Sequence, residues 1–472
     1  MTDAPPPGSI AGPVLTPPGC SPPIPMHRFA RGARLAPSLL FLLTPSVAWA
    51  DEGHGAPESD SSIVTVVALI GVVALAFLLA RFVVGRLQKT FLVMAGVESM
   101  LLGVLLGPEI PYLSISAFSN LQGLLPIVAL AVGWVGLLRG MELRVSSIRT
   151  ETPTGTAQLA LVQALVAGGA TTAVAYLAFS TPGVFHFGDL AESREAWIAA
   201  GVLGCTAAAG SAEPIALIAK RYRLEGDVAT RLRRMSSLSE LVAIAAFGIL
   251  FAIFHPSAPD ALVELSATEW AVVAVFVGVT LGVLFRPFLG DDDSENGRFL
   301  AMVGIIVLAS GAAYFLDLSP LFVNLCLGVV LVNTAKAGPQ IHATLVNTRR
   351  PMALVLLVFA GALMRPVDPV DGLLVCLAFL ALRLGGKAVG TALASWRTPL
   401  RGDYFRGLLA HGDVSVAMAV SLRLVYDGPA VDLAYLAILV SVVVNDLIAP
   451  RVLRSLLVDT GDLRGERQEA TT

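Results

Sequence analysis

Between residues 62 and 450 the chain alternates long apolar blocks with short polar breaks. The blocks fall near 62–82, 91–106, 121–140, 156–180, 196–219, 236–254, 268–289, 299–316, 319–335, 351–364, 370–395, 404–425 and 431–450. About 20 mostly apolar residues make one helical crossing of a bilayer. A helix is the form in which a single segment satisfies its own backbone there. The pattern predicts an all-α polytopic membrane protein with thirteen transmembrane helices.

Composition supports that picture and removes others. Of 472 residues, 55% are hydrophobic and 14% charged, whereas a soluble globular chain carries about a quarter charged residues. Mean hydropathy is +0.76. A soluble enzyme is excluded on these grounds, and a net charge of -3 leaves no basic surface for nucleic acid. Cys20, Cys205, Cys326 and Cys376 have no metal-ligand spacing and form no disulfide framework. No cofactor is expected, and a membrane enzyme is disfavoured because neither HExxH nor a phosphate-cradling glycine loop is present.

The front end reads as a leader rather than as part of the fold. Residues 1–25 are proline-rich; Met26 then opens a stretch with Arg28, Arg31 and Arg34, an apolar run from Leu35 to Leu43, and Ala48, Trp49 and Ala50. That is a secretory signal pattern. Met26 is the expected start, and residues 51–61 the expected extracytoplasmic N-terminus. With that end outside, Arg81, Arg86, Lys89, Arg139, Arg144, Arg149, Lys220, Arg221, Arg231, Arg233 and Arg234 fall in cytoplasmic segments, while Arg194, Arg365 and Arg423 fall outside. The bias obeys the positive-inside rule and puts the C-terminus in the cytoplasm. The transmembrane domain is expected over 62–457, and the tail 458–472 is too short for a regulatory domain.

An ionisable group within a span costs at least about 2.5 to 3.5 kcal/mol on insertion scales and needs a partner, water or a function. Those here are Glu98, Glu213, Glu240, Arg383, Lys387, His411, Asp413 and Asp446. In span five, Pro214 follows Glu213 directly. Proline removes a backbone donor and pushes the preceding residue from helical dihedrals, so the helix should break there. A new half-helix starting at Pro214 would favour the adjoining carboxylate at its positive end. Glu240 lies about 9 Å inward from Arg234 and Glu213 about 10 Å inward from Lys220, which gives the two acids similar depth. Arg383 and Lys387, four residues apart, share a helix face. In span twelve, Gly412 between His411 and Asp413 marks a second interruption. Asn445 and Asp446 stand just before Pro450 and Arg451, where termination of the last helix is expected. Glu98 is read as a polar contact between helices.

The two interruptions are the middle members of three-helix groups, four to six (about 156–254) and eleven to thirteen (about 370–457), which enter from opposite sides. Crossing broken helices at matching positions of inverted repeats point to a secondary transporter with alternating access.

Several segments carry a resemblance. Gly103 to Pro108 (GVLLGP), Gly140 to Leu143 (GMEL), Phe359 to Gly361 (FAG) and Arg406 to Leu422, taken in order, resemble the cation/proton antiporter superfamily, particularly its bacterial sodium/proton and potassium-efflux branch. The resemblance covers about residues 62–457. It implies an inner-membrane exchanger, usually a homodimer, with three sets of functional residues. Ala212, Glu213 and Pro214 match a threonine, aspartate and proline motif. Ser239 and Glu240 match an acidic or Asn and Asp pair whose second member binds proton and cation in turn. Lys387, or alternatively Arg383, matches the basic residue that balances the half-helix ends. His411, Gly412 and Asp413 stand where the family has Arg, Gly and Glu.

The reading that joins these is exchange of sodium or potassium for protons at Glu240, with Ser239, Glu213 and freed backbone carbonyls as further ligands. One titrating acid beside Ser239 suggests electroneutral exchange. A sodium-coupled organic anion transporter and a non-transporting sensor or partner subunit are the alternatives.

Overall fold

The computed structural model describes residues 96–107, 121–144, 155–185, 193–222, 226–256, 265–286, 295–335, 338–396 and 401–463. All belong to the unit Asp60–Thr472. The leader, the N-terminal segment 51–61, span one and residues 464–472 lie outside the described residues.

Among the described residues every regular element is helical. We number them α1 (Val97–Leu106), α2 (Leu125–Met141), α3 (Thr156–Ser180), α4 (Ser193–Ala208), α5 (Glu213–Tyr222), α6 (Asp227–Ile253), α7 (Ala267–Leu284), α8 (Glu295–Phe315), α9 (Pro320–Thr334), α10 (Gly338–Ala362), α11 (Pro369–Ser395), α12 (Asp413–Val425) and α13 (Pro429–Asp459). Short 3-10 turns at Leu121–Leu124 and Gly402–Gly407 precede α2 and α12. Seven candidate spans are long and apolar enough to cross a bilayer, one of them running through α4 and α5 together. The predicted spans two to thirteen each find a helix or a pair of half-helices.

Local chemistry accounts for where many helices begin. Ser266 and Glu269 form a reciprocal capping box at α7, which satisfies donors that have no partner inside the helix. Ser319 caps α9 and Asp368 caps α11, each followed by proline in the first turn, where the missing N–H has no consequence. Gly428 has φ +134° before Pro429 opens α13, a left-handed backbone that side chains resist.

The boundaries of α10 and α13 differ from the sequence expectation. α10 begins at Gly338 and carries Pro351 inside it, whereas the apolar block begins only at 351. Its polar first half satisfies its backbone as a helix all the same, and its side chains His342 and Arg349 line a cavity of about 600 Å³. α13 continues through Pro450 to Asp459, so the expected termination after Asp446 does not occur. Asn445 instead donates to the Ser441 carbonyl and to its Oγ.

Two resembling segments turn out to be the two sides of one contact. A Cβ on Gly103 of α1 would collide with the Val358 carbonyl of α10, and one on Gly361 with the Met100 carbonyl. Close backbone approach through small residues is how helices associate in lipid. α2 meets α9 in the same way through Gly140 and Gly328, which presents the end of α2, and with it Arg139, to the interior.

Candidate functional site

The site is built where two helices fail. α4 stops at Ala208 and α5 starts at Glu213, with Pro214 as its second residue rather than its first. The second interruption lies between the turn ending at Gly407 and α12 at Asp413. The Ser211 N–H donates to the Ala410 carbonyl across 3.1 Å, which joins the two irregular stretches directly. Gly412 has extended backbone, φ -131° and ψ -174°, so space rather than conformation requires a glycine there. A Cβ on it would lie 2.8 Å from Ser211 Oγ and 3.5 Å from Glu240 Oε1.

Each break exposes carbonyls that end a half-helix, and buried cations meet them. Lys387 Nζ donates to Ala209 O at 2.9 Å and Ala208 O at 3.3 Å. Arg383 donates to Leu409 O at 2.6 Å, Ala209 O at 3.1 Å and Ala410 O at 3.3 Å. Both side chains come from α11 and are buried. Positive charge on freed carbonyls offsets the negative end of the helix dipole.

Carboxylates take the other ends. Glu213 and Asp413 are the first residues of α5 and α12, where the dipole favours an anion. Glu240, on α6, is buried. One guanidinium gathers them: Arg139 on α2 lies 2.6 Å from Asp413, 3.3 Å from Glu213, 3.4 Å from Glu240 and 3.1 Å from Glu142. Arg349 of α10 pairs with Asp413 at 3.1 Å and with Glu213. A fork of fixed N–H donors suits this multiple engagement better than an ammonium does.

Some expected site residues face elsewhere in this conformation. Ser239 Oγ donates to Gln163 Oε1 of α3 at 3.2 Å and to its own helix at Met235 O. His411 sits between Ser415 Oγ at 2.8 Å and Ser441 Oγ at 2.9 Å, tying the second interruption to α13. Asp413 is held by the two arginines.

An open cavity borders part of this cluster. A cavity of about 600 Å³ has Glu213, Arg139 and Arg349 in its wall. A second void, about 10 Å³, is lined by Glu240 and shares Arg139, Glu142 and Ser237 with the larger one. That is about the space of one water, so Glu240 lies one thin layer of side chains from the cavity.

Arg139, Arg349 and Gln163 were not singled out by sequence. Both arginines counted as loop charges in the orientation argument, although Arg139 is 5% exposed within α2. A usable signal was present: Arg139 directly precedes the GMEL segment and closes an otherwise apolar helix.

Comparison with known proteins bears on this arrangement. The family model described as sodium/hydrogen exchanger, transmembrane, matches residues 97–455. The structure of the sodium proton antiporter MjNhaP1 from Methanocaldococcus jannaschii at pH 8 superposes with TM-score 0.53 at 16% identity, covering 85% of this chain and 98% of that one. An electron-microscopy map of the same antiporter gives TM-score 0.54 at 17% identity, covering 84% and 97%. At such identity the likeness shows the fold. No curated protein sequence matches the chain.

Proposed function

The chain belongs to the sodium/hydrogen exchanger family, a family of membrane transporters and not of enzymes, and on that footing we propose that it exchanges sodium or potassium for protons by alternating access, with Glu240 as the carboxylate for which the two compete. The observation that carries this reading is the meeting of Glu240 and Glu213 on Arg139, beside the hydrogen bond from Ser211 to Ala410. Few other arrangements bring two acids and freed backbone to one point inside an apolar bundle.

In this mechanism Glu213 offers a carboxylate to the cavity, and Glu240 takes the ion one layer deeper. Arg139 and Arg349 keep Asp413 and Glu213 at the half-helix starts, where the dipole also favours them. Arg383 and Lys387 hold the carbonyl ends in place. Glu240 is then the acid whose partner can change without dismantling the crossing. α3 to α6 and α11 to α13 are the two groups expected to enter from opposite sides, and rocking of such groups around a fixed site is how alternating access proceeds. We assign the large cavity to the cytoplasmic side, because Arg144, Arg233 and Arg234 line it and basic residues favour that side. Electroneutral exchange follows from one titrating acid, Glu240, with Ser239 as its neighbour.

The test uses proteoliposomes with an internal pH dye, to which sodium, potassium or lithium is added. Cation-driven pH recovery is expected for the wild type and not for Glu240→Gln. Equal recovery in both would remove Glu240 from the mechanism. Sodium flux measured across a range of imposed membrane potentials checks the stoichiometry, and a flux that follows the potential would refute electroneutrality.

A further inference from the structure

The large cavity has a composition that cation exchange does not explain. Arg139, Arg144, Arg233, Arg234 and Arg349 all line it, with His342, Thr230 and Ser237 between them. Its acids are Glu142 and Glu213, and both lie against Arg139. Arg349 is likewise engaged with Glu213 and Asp413. Among the described residues, neither Arg144 nor Arg233 has a carboxylate partner, and both are exposed. Arginines that served only to orient the chain would fan outward to the membrane surface. These converge on one space.

Several like charges facing one cavity repel each other, and a cavity so lined holds back the very cations an exchanger must admit. A multivalent anion seated among them relieves both effects. Guanidinium forks match phosphate oxygens in planar, two-point fashion, and the Ser237 hydroxyl adds a neutral donor. The volume of about 600 Å³ falls within the range of small-molecule sites, roughly 300 to 1,000 Å³.

We propose that this cavity is a binding site for a phosphate-bearing anion, held by Arg144 and Arg233 with Ser237. The phosphate belongs either to a soluble molecule or to an acidic lipid headgroup. Through Arg349, which belongs to both the cavity wall and the carboxylate cluster, the anion sits one side chain from the proposed exchange site.

The test uses the purified full-length protein in neutral detergent, with pyrophosphate as probe and thermal unfolding as readout. A ligand that binds only the folded state raises the unfolding midpoint as it saturates. A saturable rise is expected in the wild type and is expected to be absent in the double variant Arg144→Gln with Arg233→Gln. An equal rise with sodium chloride at matched ionic strength, or a rise that persists in the double variant, overturns the site. If the Gln pair fails to fold, Arg144→Lys with Arg233→Lys keeps the charge and removes the forks. Pyrophosphate affinity is then expected to weaken by about threefold or more, and unchanged affinity overturns the site.

A second arm adds phosphatidylglycerol to the micelles in place of pyrophosphate. A midpoint rise with the lipid alone, lost in the double variant, assigns the phosphate to a headgroup, and a rise with pyrophosphate assigns it to a soluble anion. No response to either overturns the proposal. Because binding is read without transport, its outcome is independent of the Glu240 experiment.

Discussion

Nη1 of Arg139 lies 3.4 Å from Oε2 of Glu240, with both side chains nearly sealed from solvent, at 5% and 3% exposure. The same guanidinium holds Glu213 and Asp413, so acids from three helices share one cation. Removing one partner of a buried pair leaves the others uncompensated, which costs about 3 to 5 kcal/mol. Arg139→Gln is therefore expected to lower unfolding stability by about that amount and to cut exchange by about tenfold or more. Arg139→Lys keeps the charge without the fork and should fall between. Thermal unfolding and dye-monitored exchange check both, and a Gln variant as stable as wild type would show that the carboxylates do not depend on Arg139.

Competition at one carboxylate carries its own pH signature. A proton on Glu240 excludes the cation, so acidification weakens apparent cation affinity. In the range where the proton dominates, one proton against one cation gives about a tenfold rise in the half-saturating cation concentration per unit fall in pH. Exchange measured at several cation concentrations from pH 6 to 9 checks this, and a half-saturation independent of pH would separate the proton site from the cation site.

Lys387 and Arg383 answer the carbonyls at the two breaks, Lys387 with two hydrogen bonds and Arg383 with three. A hydrogen bond to a charged group contributes about 1.5 to 3 kcal/mol. Lys387→Met is expected to lower stability by at least one such increment, because Ala208 and Ala209 lose this donor. Lys387→Arg should retain most of it. Melting of the detergent-purified variants decides the point; equal melting of wild type and the Met variant would mean that the broken-helix ends are satisfied by other groups.

Gly412 leaves room for Ser211 and Glu240. Gly412→Ala places a Cβ 2.8 Å from Ser211 Oγ and 3.5 Å from Glu240 Oε1, and overpacking of this kind costs about 1 to 3 kcal/mol. Ser211→Ala removes the nearer oxygen. The double variant is expected to recover part of the loss, with an interaction energy of about 0.5 kcal/mol or more in a double-mutant cycle. Additive effects would show that the clash is relieved elsewhere.

Much of this molecule is legible along the chain because a bilayer penalises exceptions. Apolar blocks mark helices, and the few ionisable residues inside them stand out one by one. Pro214 beside Glu213 marks the first break for a backbone reason that needs no neighbours. The four-residue spacing of Arg383 and Lys387 puts them on one face, and the structure turns that face to the interrupted carbonyls. Hydropathy is less informative about α10, whose first half is polar yet helical because that half lines the large cavity.

What the sequence by itself determined is therefore the helical membrane architecture, the two interruptions and the acids that stand inside the apolar spans, since each follows from local cost. Only the tertiary structure decided which charges meet. Arg139 is 74 residues from Glu213 and 274 from Asp413, and its place at the end of an otherwise apolar helix marks it out without telling which acids it meets. The close packing of α2 on α9 through Gly140 and Gly328 makes that choice. It brings the guanidinium under the crossing, where desolvation makes its pairing with carboxylates obligatory.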